Sequence, residues 1–161
     1  MPTKAVKDAC DLLDADHRTV KKLFTEYDEL AGSKAQGAMT KKATLARAIC
    51  RELTVHATIE EEIFYPQVRA AIKDDALLDE AGVEHASCKA LIAEIETSEP
   101  SDPLFDAKVK VLGEYINHHV GEERNEMFPK ARSSKKLDLF AIGEQLEIRK
   151  EALMAAEAAT A

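Results

Sequence analysis

Apolar residues near the start of the chain recur in steps of four and three: Val6, Cys10, Leu13, then Val20, Phe24 and Tyr27. That is the stripe of an amphipathic helix with one member missing, and the residue at the missing position is His17. Ala31-Gly32-Ser33 predicts the helix stop, Gly37 the end of a short polar connection, and a second helix is expected from near Thr40. Its inner side reads Leu45, Ile49, Leu53, Ile63 and Phe64, with His56 and Glu60 inside the stripe. Pro66 should bend or interrupt this helix, because it lacks an N–H and its ring crowds the preceding turn.

A third helix is predicted to be capped by Asp74 or Asp75 and to face inward with Leu78, Ala81, His85, Cys88, Ile92 and Ile95. Ser98 to Pro103 reads as a linker, and Pro103 suits the first turn of a fourth helix. That helix presents Phe105, Val109, Leu112, Ile116, His119, Glu123 and Met127, and meets Pro129 near its end. After Ser133-Ser134, a last amphipathic segment from about Leu137 to Ala156 carries Leu139, Phe140, Leu146 and Leu153 and is expected to pack across the others without taking part in chemistry.

Composition turns these segments into a fold class. The chain is rich in Ala, Leu, Lys and Glu, with 6 Gly, 5 Pro and no Trp, which predicts an all-α protein: an up-down-up-down four-helix bundle with an additional C-terminal helix. Its 161 residues suit one domain of ordinary size, with residues 1–135 as the bundle and 136–161 as the helix packed on it. A formal charge of -8, with basic residues scattered along the helices, argues against nucleic acid as a partner. No apolar run approaches the roughly 20 residues that span a bilayer, and the N-terminal segment carries Lys4, Lys7, Asp8 and Asp11 where a signal peptide would be continuously apolar. Cys10, Cys50 and Cys88 fall in no paired or finger spacing, so the expected setting is the cytoplasm, with Cys10 and Cys88 as small core residues.

One internal repeat carries the chemistry. Val55 to Pro66 echoes His118 to Pro129, with His, Glu and Pro at identical spacing, so His56 aligns with His119 and Glu60 with Glu123. Residues four apart on a helix share a face, which points each imidazole and its carboxylate at one place. A lone histidine on an apolar face is ordinarily a hydrogen-bonded core residue. Here every one of four stripes is interrupted by one, twice with Glu at the same offset. At ~1.5 Å per residue the histidines also come level: His17 lies about 14 residues before the first turn and His56 about 16 after it. Four imidazoles and two carboxylates, His17, His56, Glu60, His85, His119 and Glu123, are a ligand set for two metal ions, and metal would relieve the cost of burying the carboxylates. Fe, Zn, Mn and Cu all suit such ligands. Ferritin-like sites use more carboxylates and fewer histidines. Glu61, Glu62, Glu122, Glu126 and Arg124 are expected on solvated faces, His118 exposed or just outside the ligands, and Tyr115 in the core, with a hydrogen bond to the site or ligation as a phenolate as the alternatives.

The histidine pattern, with HxxxE in the second and fourth helices and Glu84-His85 in the third, resembles the hemerythrin HHE cation-binding family over roughly residues 5–132. The resemblance implies iron: two ions bound by His17, His56, Glu60, His85, His119 and Glu123, with Glu60 and Glu123 and an oxo or hydroxo group as bridges. It implies O2, H2O2 or NO as small ligands. Oxygen-carrying members have a second histidine four residues after the one on the third helix, where this chain has Lys89. The departure shifts the expectation from reversible O2 carriage to redox chemistry, including catalase-like turnover in oxidative or nitrosative stress. The alternatives are an iron-handling or redox-sensing module acting through a protein partner, and a simple O2-binding protein.

Overall fold

A computed structural model describes residues 6–159, so the first five and last two residues of the expected spans lie outside the described residues. Helix α1, Ala9–Leu30, opens with a reciprocal cap in which Asp8 accepts from the Asp11 N–H at 2.8 Å and Asp11 accepts from the Asp8 N–H. Val6 precedes that cap and is 75% exposed, so the inward stripe begins at Cys10 and not at Val6. The helix ends at the expected stop, where Gly32 takes φ 82°, a left-handed conformation that costs a residue without Cβ little.

Helix α2, Gln36–Ile59, starts four residues earlier than Thr40, and Gly37 lies inside its first turn. A wide π-turn, Glu60–Phe64, follows without a break and leads into α3, Tyr65–Ile72. The same sequence of events recurs later: α5, Phe105–Glu122, a π-turn over Glu123–Met127, and α6, Phe128–Ser133. Pro66 and Pro129 explain both. A proline ring collides with the carbonyl four residues back, and the wider i→i−5 turn relieves it, with Tyr65 N–H bonding Glu60 O and Phe128 N–H bonding Glu123 O. The expected bend at Pro66 is therefore a π-turn placed at the candidate ligand Glu60.

Helix α4, Asp75–Glu96, is capped by Asp74, whose side chain accepts from Leu77 N–H. Pro103 falls in the turn before α5 and not inside its first turn. Helices α1 and α4 each pack against α2 and α5, which closes the four long helices into the expected bundle. Helix α7, Leu139–Ala159, lies against α1, α2 and the first π-turn and buries Ile142, Gly143 and Leu146, while Phe140 is 55% exposed. Gly143 permits this crossing: a Cβ there would sit 3.1 Å from Ala9 N and 3.1 Å from Lys7 O.

The interior is two apolar clusters with a polar layer between them. One contains Leu13, Ile59, Phe64, Val68, Leu78, Met127, Phe128 and Leu146; the other contains Val20, Ile49, Leu53, Cys88, Ile92, Val109 and Leu112. At the far end of the second cluster, Asp106 accepts from Tyr27 Oη at 2.7 Å, Gly32 N–H at 3.0 Å and the buried Lys42 Nζ at 3.0 Å, tying the α1–α2 turn to α5. The layer between the clusters is where the histidines lie.

Candidate metal centre

Helix α1 contributes His17, α2 His56, α4 His85 and α5 His119, all buried at one level; the first π-turn contributes Glu60 and the second Glu123, both essentially inaccessible. All six candidate residues of the sequence analysis meet. Three ligand atoms, from His17, His56 and Glu123, lie within 4.8 Å of one another, as do those of Glu60, His85 and His119. Each carboxylate also reaches across between the two groups. Glu60 Oε1 is 2.9 Å from His56 Nε2 and 3.4 Å from His85 Nε2, while Glu123 Oε1 is 3.2 Å from His17 Nε2 and 3.1 Å from His119 Nε2.

These contacts are close but poorly formed as hydrogen bonds. His17 Nε2, His56 Nε2, both oxygens of Glu60 and Glu123 Oε1 are buried with no hydrogen-bond partner of acceptable geometry. Orphaned buried polar atoms are costly, and five aimed at one small volume are what a bound cation would satisfy. The donor set therefore fits bound metal.

The outer side of the histidines argues the same way. Every Nδ1 faces a carboxylate: His17 to Asp14 at 3.4 Å, His56 to Asp16 at 2.9 Å, His85 to Glu61 at 3.2 Å and His119 to Glu84 at 2.9 Å. An N–H donated outward at Nδ1 leaves the Nε2 lone pair pointing inward, the orientation of a metal-bound imidazole. Each carboxylate is itself held. Arg124 donates to Asp14, Lys150 of α7 to Asp16, Lys89 to Glu61, and His118 lies 3.3 Å from Glu84. Glu61 and Arg124 stand on partly or fully solvated faces, as the sequence reading expected, yet both belong to this outer ring, and the last helix, to which no chemistry was assigned, joins it through Lys150. Asp14, Asp16 and Glu84 stand one or three residues before a candidate ligand or across a helix interface, a position no spacing rule marks.

Electrostatics follow from the burial. Desolvation alone would lower the pKa of His56, but Glu60 and Asp16 outweigh it and hold the imidazole well above its usual range. His119 is likewise pushed down by burial, and more strongly up by Glu123, Glu60 and Glu84, to about 10. Glu60 is held well below the usual carboxylate range, burial being overcome by His56, Glu123 and His85. Asp16 is lowered too, its burial outweighed by His56 and Lys150. Without metal, protons occupy part of this layer.

The structure also brings in a residue the sequence reading did not name. Tyr65 Oη lies 3.1 Å from His85 Nε2, 3.0 Å from His119 Nε2 and 3.4 Å from Glu123 Oε2, and its pKa is raised well above 10 by burial and then by Glu123 and Glu60, so it is a neutral phenol. Tyr115, the tyrosine considered earlier, is 46% exposed and not in the core. Five residues after Glu60, Tyr65 would stand about 140° away from it on a regular helix; the π-turn swings it inward. The signal was present in the repeat, where an aromatic residue precedes proline in both copies. The partner aromatic, Phe128, stacks on His17 with ring centroids 6.0 Å apart. A further group, Glu80, Glu84, His118 and Glu122, gathers on the α4–α5 surface outside His119.

Comparison with known proteins places these observations in a family. The model of the hemerythrin HHE cation-binding domain matches residues 8–131. The crystal structure of a hemerythrin HHE cation-binding domain-containing protein from Mycobacterium kansasii superposes with a TM-score of 0.77 at 22% identity, covering 93% of this chain and 89% of that one. A relative from Nostoc sp. (strain PCC 7120), named DNA nickase, is 30% identical over 124 residues, which is 77% of this chain and 33% of the relative. The chain thus spans about a third of that protein's length.

Proposed function

Since the chain belongs to the hemerythrin HHE cation-binding domain family, we propose that it holds two iron ions between His17, His56, His85 and His119, with Glu60 and Glu123 bridging, and that the loaded site reacts with peroxide, O2 or NO. The observation that carries this reading is the set of buried, unpartnered Nε2 and carboxylate atoms converging from α1, α2 and the two π-turns, with every Nδ1 of the four histidines anchored from behind. Bound iron would supply the redox chemistry. The chain's own residues bind the ions, hold each imidazole in one tautomer and keep bulk water out on the side sealed by Phe64, Met127 and Phe128.

Turnover is favoured over reversible O2 carriage by two residues. Lys89 stands where carriers have a further imidazole, and its ammonium is turned outward onto Glu61. Tyr65 places a neutral hydroxyl proton beside the Nε2 atoms of His85 and His119, and peroxide reduction consumes protons. Catalase-like disproportionation of H2O2 is the reaction we put first. A second reading, a redox-sensing module acting through a protein partner, draws support from Lys150, which joins α7 through Asp16 to His56. Nucleic acid is not proposed as a partner: the name of the Nostoc relative belongs to a protein more than twice as long, and the charge of -8 here gives a DNA backbone no attraction.

The test is iron content with the optical spectrum of protein produced in iron-supplemented medium, repeated after azide and after H2O2. About two irons per chain with absorption that responds to peroxide are expected; zinc alone, or no bound metal, would overturn the assignment.

A further inference from the structure

One turn from the histidine layer, on the side away from Phe64 and Phe128, the bundle axis is hollow. Val20, Leu53, Cys88 and Ile116, each three residues from a candidate histidine ligand, wall a cavity of about 280 Å³ together with Ile92, and His17, His56, His85 and His119 form its floor. The exposed lining residues all come from two helices: Thr54 of α2 and Lys89, Ala93 and Glu96 of α4. The mouth is therefore the gap between α2 and α4, to which Ala57 and Ala93 contribute small side chains.

Size and chemistry select what enters. A water molecule accounts for about 30 Å³, so H2O2 or O2 would fill only a small fraction of this space. The walls next to the histidines are apolar and offer no hydrogen bonds to a small polar molecule, whereas they suit a hydrocarbon group. Lys89 is already paired to Glu61 and Glu96 adds a negative charge at the mouth, so an anionic head is disfavoured there, and the apolar walls beyond offer a cationic one no partner. Resting on the peroxide-reactive reading above, we infer that the cavity receives the organic group of an uncharged hydroperoxide, R–OOH, with R of roughly ten heavy atoms, its peroxide end at the four histidines. Reduction of such a peroxide breaks the O–O bond, takes up two electrons and two protons, and releases the alcohol R–OH and one water; H2O2, oxidised to O2 with release of two protons, would supply both electrons, and bound iron would relay them.

The experiment uses iron-loaded protein and cumyl alcohol, the unreactive product of cumene hydroperoxide, titrated by calorimetry. Saturable binding is expected, weakened about tenfold or more in Ala93→Trp, which plugs the mouth from an exposed position, with iron content and helicity unchanged. If that variant disturbs helicity, Ile92→Phe, which fills the cavity from inside, replaces it. A parallel rise in KM for cumene hydroperoxide, without the same rise for H2O2, is expected. Absence of saturable binding in protein whose spectrum still responds to H2O2, or equal binding by wild type and both variants, overturns the inference and leaves the proposed function standing. Protein that takes up no iron overturns the proposed function, and the substrate class with it.

Discussion

Each half of the buried centre takes one histidine from a copy of the same sequence motif, yet the halves are not equivalent. In the half built by His17 and His56, the aromatic residue of the second copy, Phe128, stacks on His17 and offers no polar atom, and the outer carboxylates Asp14 and Asp16 are both contributed by α1. In the half built by His85 and His119, the aromatic residue of the first copy, Tyr65, puts a hydroxyl against both imidazoles, and the outer carboxylates Glu61 and Glu84 come from two different elements. The comparison teaches that the repeat specifies ligands, while the residues around each ligand specify what can happen there. One half has a phenyl ring at its edge; the other has a phenol hydroxyl there.

The largest effect is expected from removing what the halves share. Glu60→Ala or Glu123→Ala deletes a carboxylate that spans both, and iron affinity should drop by more than about 100-fold, read as loss of metal after gel filtration. Unchanged loading in either variant would break the idea of a bridged pair. Next is the difference itself. Tyr65→Phe makes the two edges alike, and with iron retained the peroxide-driven spectral change should slow by about 100-fold in stopped-flow measurements. An unaltered rate would remove Tyr65 as the proton source.

A smaller effect should come from loosening one half from behind. Asp16→Asn weakens the hold on His56 and is expected to lower iron affinity about tenfold, seen as one ion leaving to a chelator ahead of the other. Lys150→Met should act in the same direction by less, because it touches His56 only through Asp16. The smallest expected effect concerns pH and iron-stripped protein. His56 and His119 have raised pKa values, so they add stability that is complete below the ordinary 6.5 and lost as pH climbs through the folded values, about 10 for His119. Glu60 is depressed, so its contribution is complete above the ordinary 4.5 and lost as pH falls further. The thermal midpoint of the stripped protein should therefore be highest between those limits and fall by roughly 5 °C toward pH 10, a slope that bound metal abolishes by displacing the protons.

Much of the bundle was legible because helical faces are a local matter. Leu78, Ala81, His85, Cys88, Ile92 and Ile95 were read as one face from spacing alone, and all are buried. The ends were less legible. Thr40 was expected to begin a helix that starts at Gln36, and Phe140 was placed inward where it is largely exposed, since a helix boundary and the lie of a terminal helix depend on what packs beside them. In the centre, the six converging residues were legible because HxxxE fixes direction within one turn. Tyr65 was not, because a π-turn changes the angular count by one residue, and a proline signals that a helix must yield without saying how.

The chain alone determined that four histidines and two glutamates lie on inward faces at a common height, since rise and rotation per residue are properties of the helical backbone itself. Only the packed structure decided which carboxylate stands behind each imidazole, that Lys150 at the far end of the chain reaches Asp16, and that one edge of the centre is a phenol and the other a phenyl ring. Those choices are made across helix interfaces, where partners are set by the crossing of elements distant in sequence and by the space left between them.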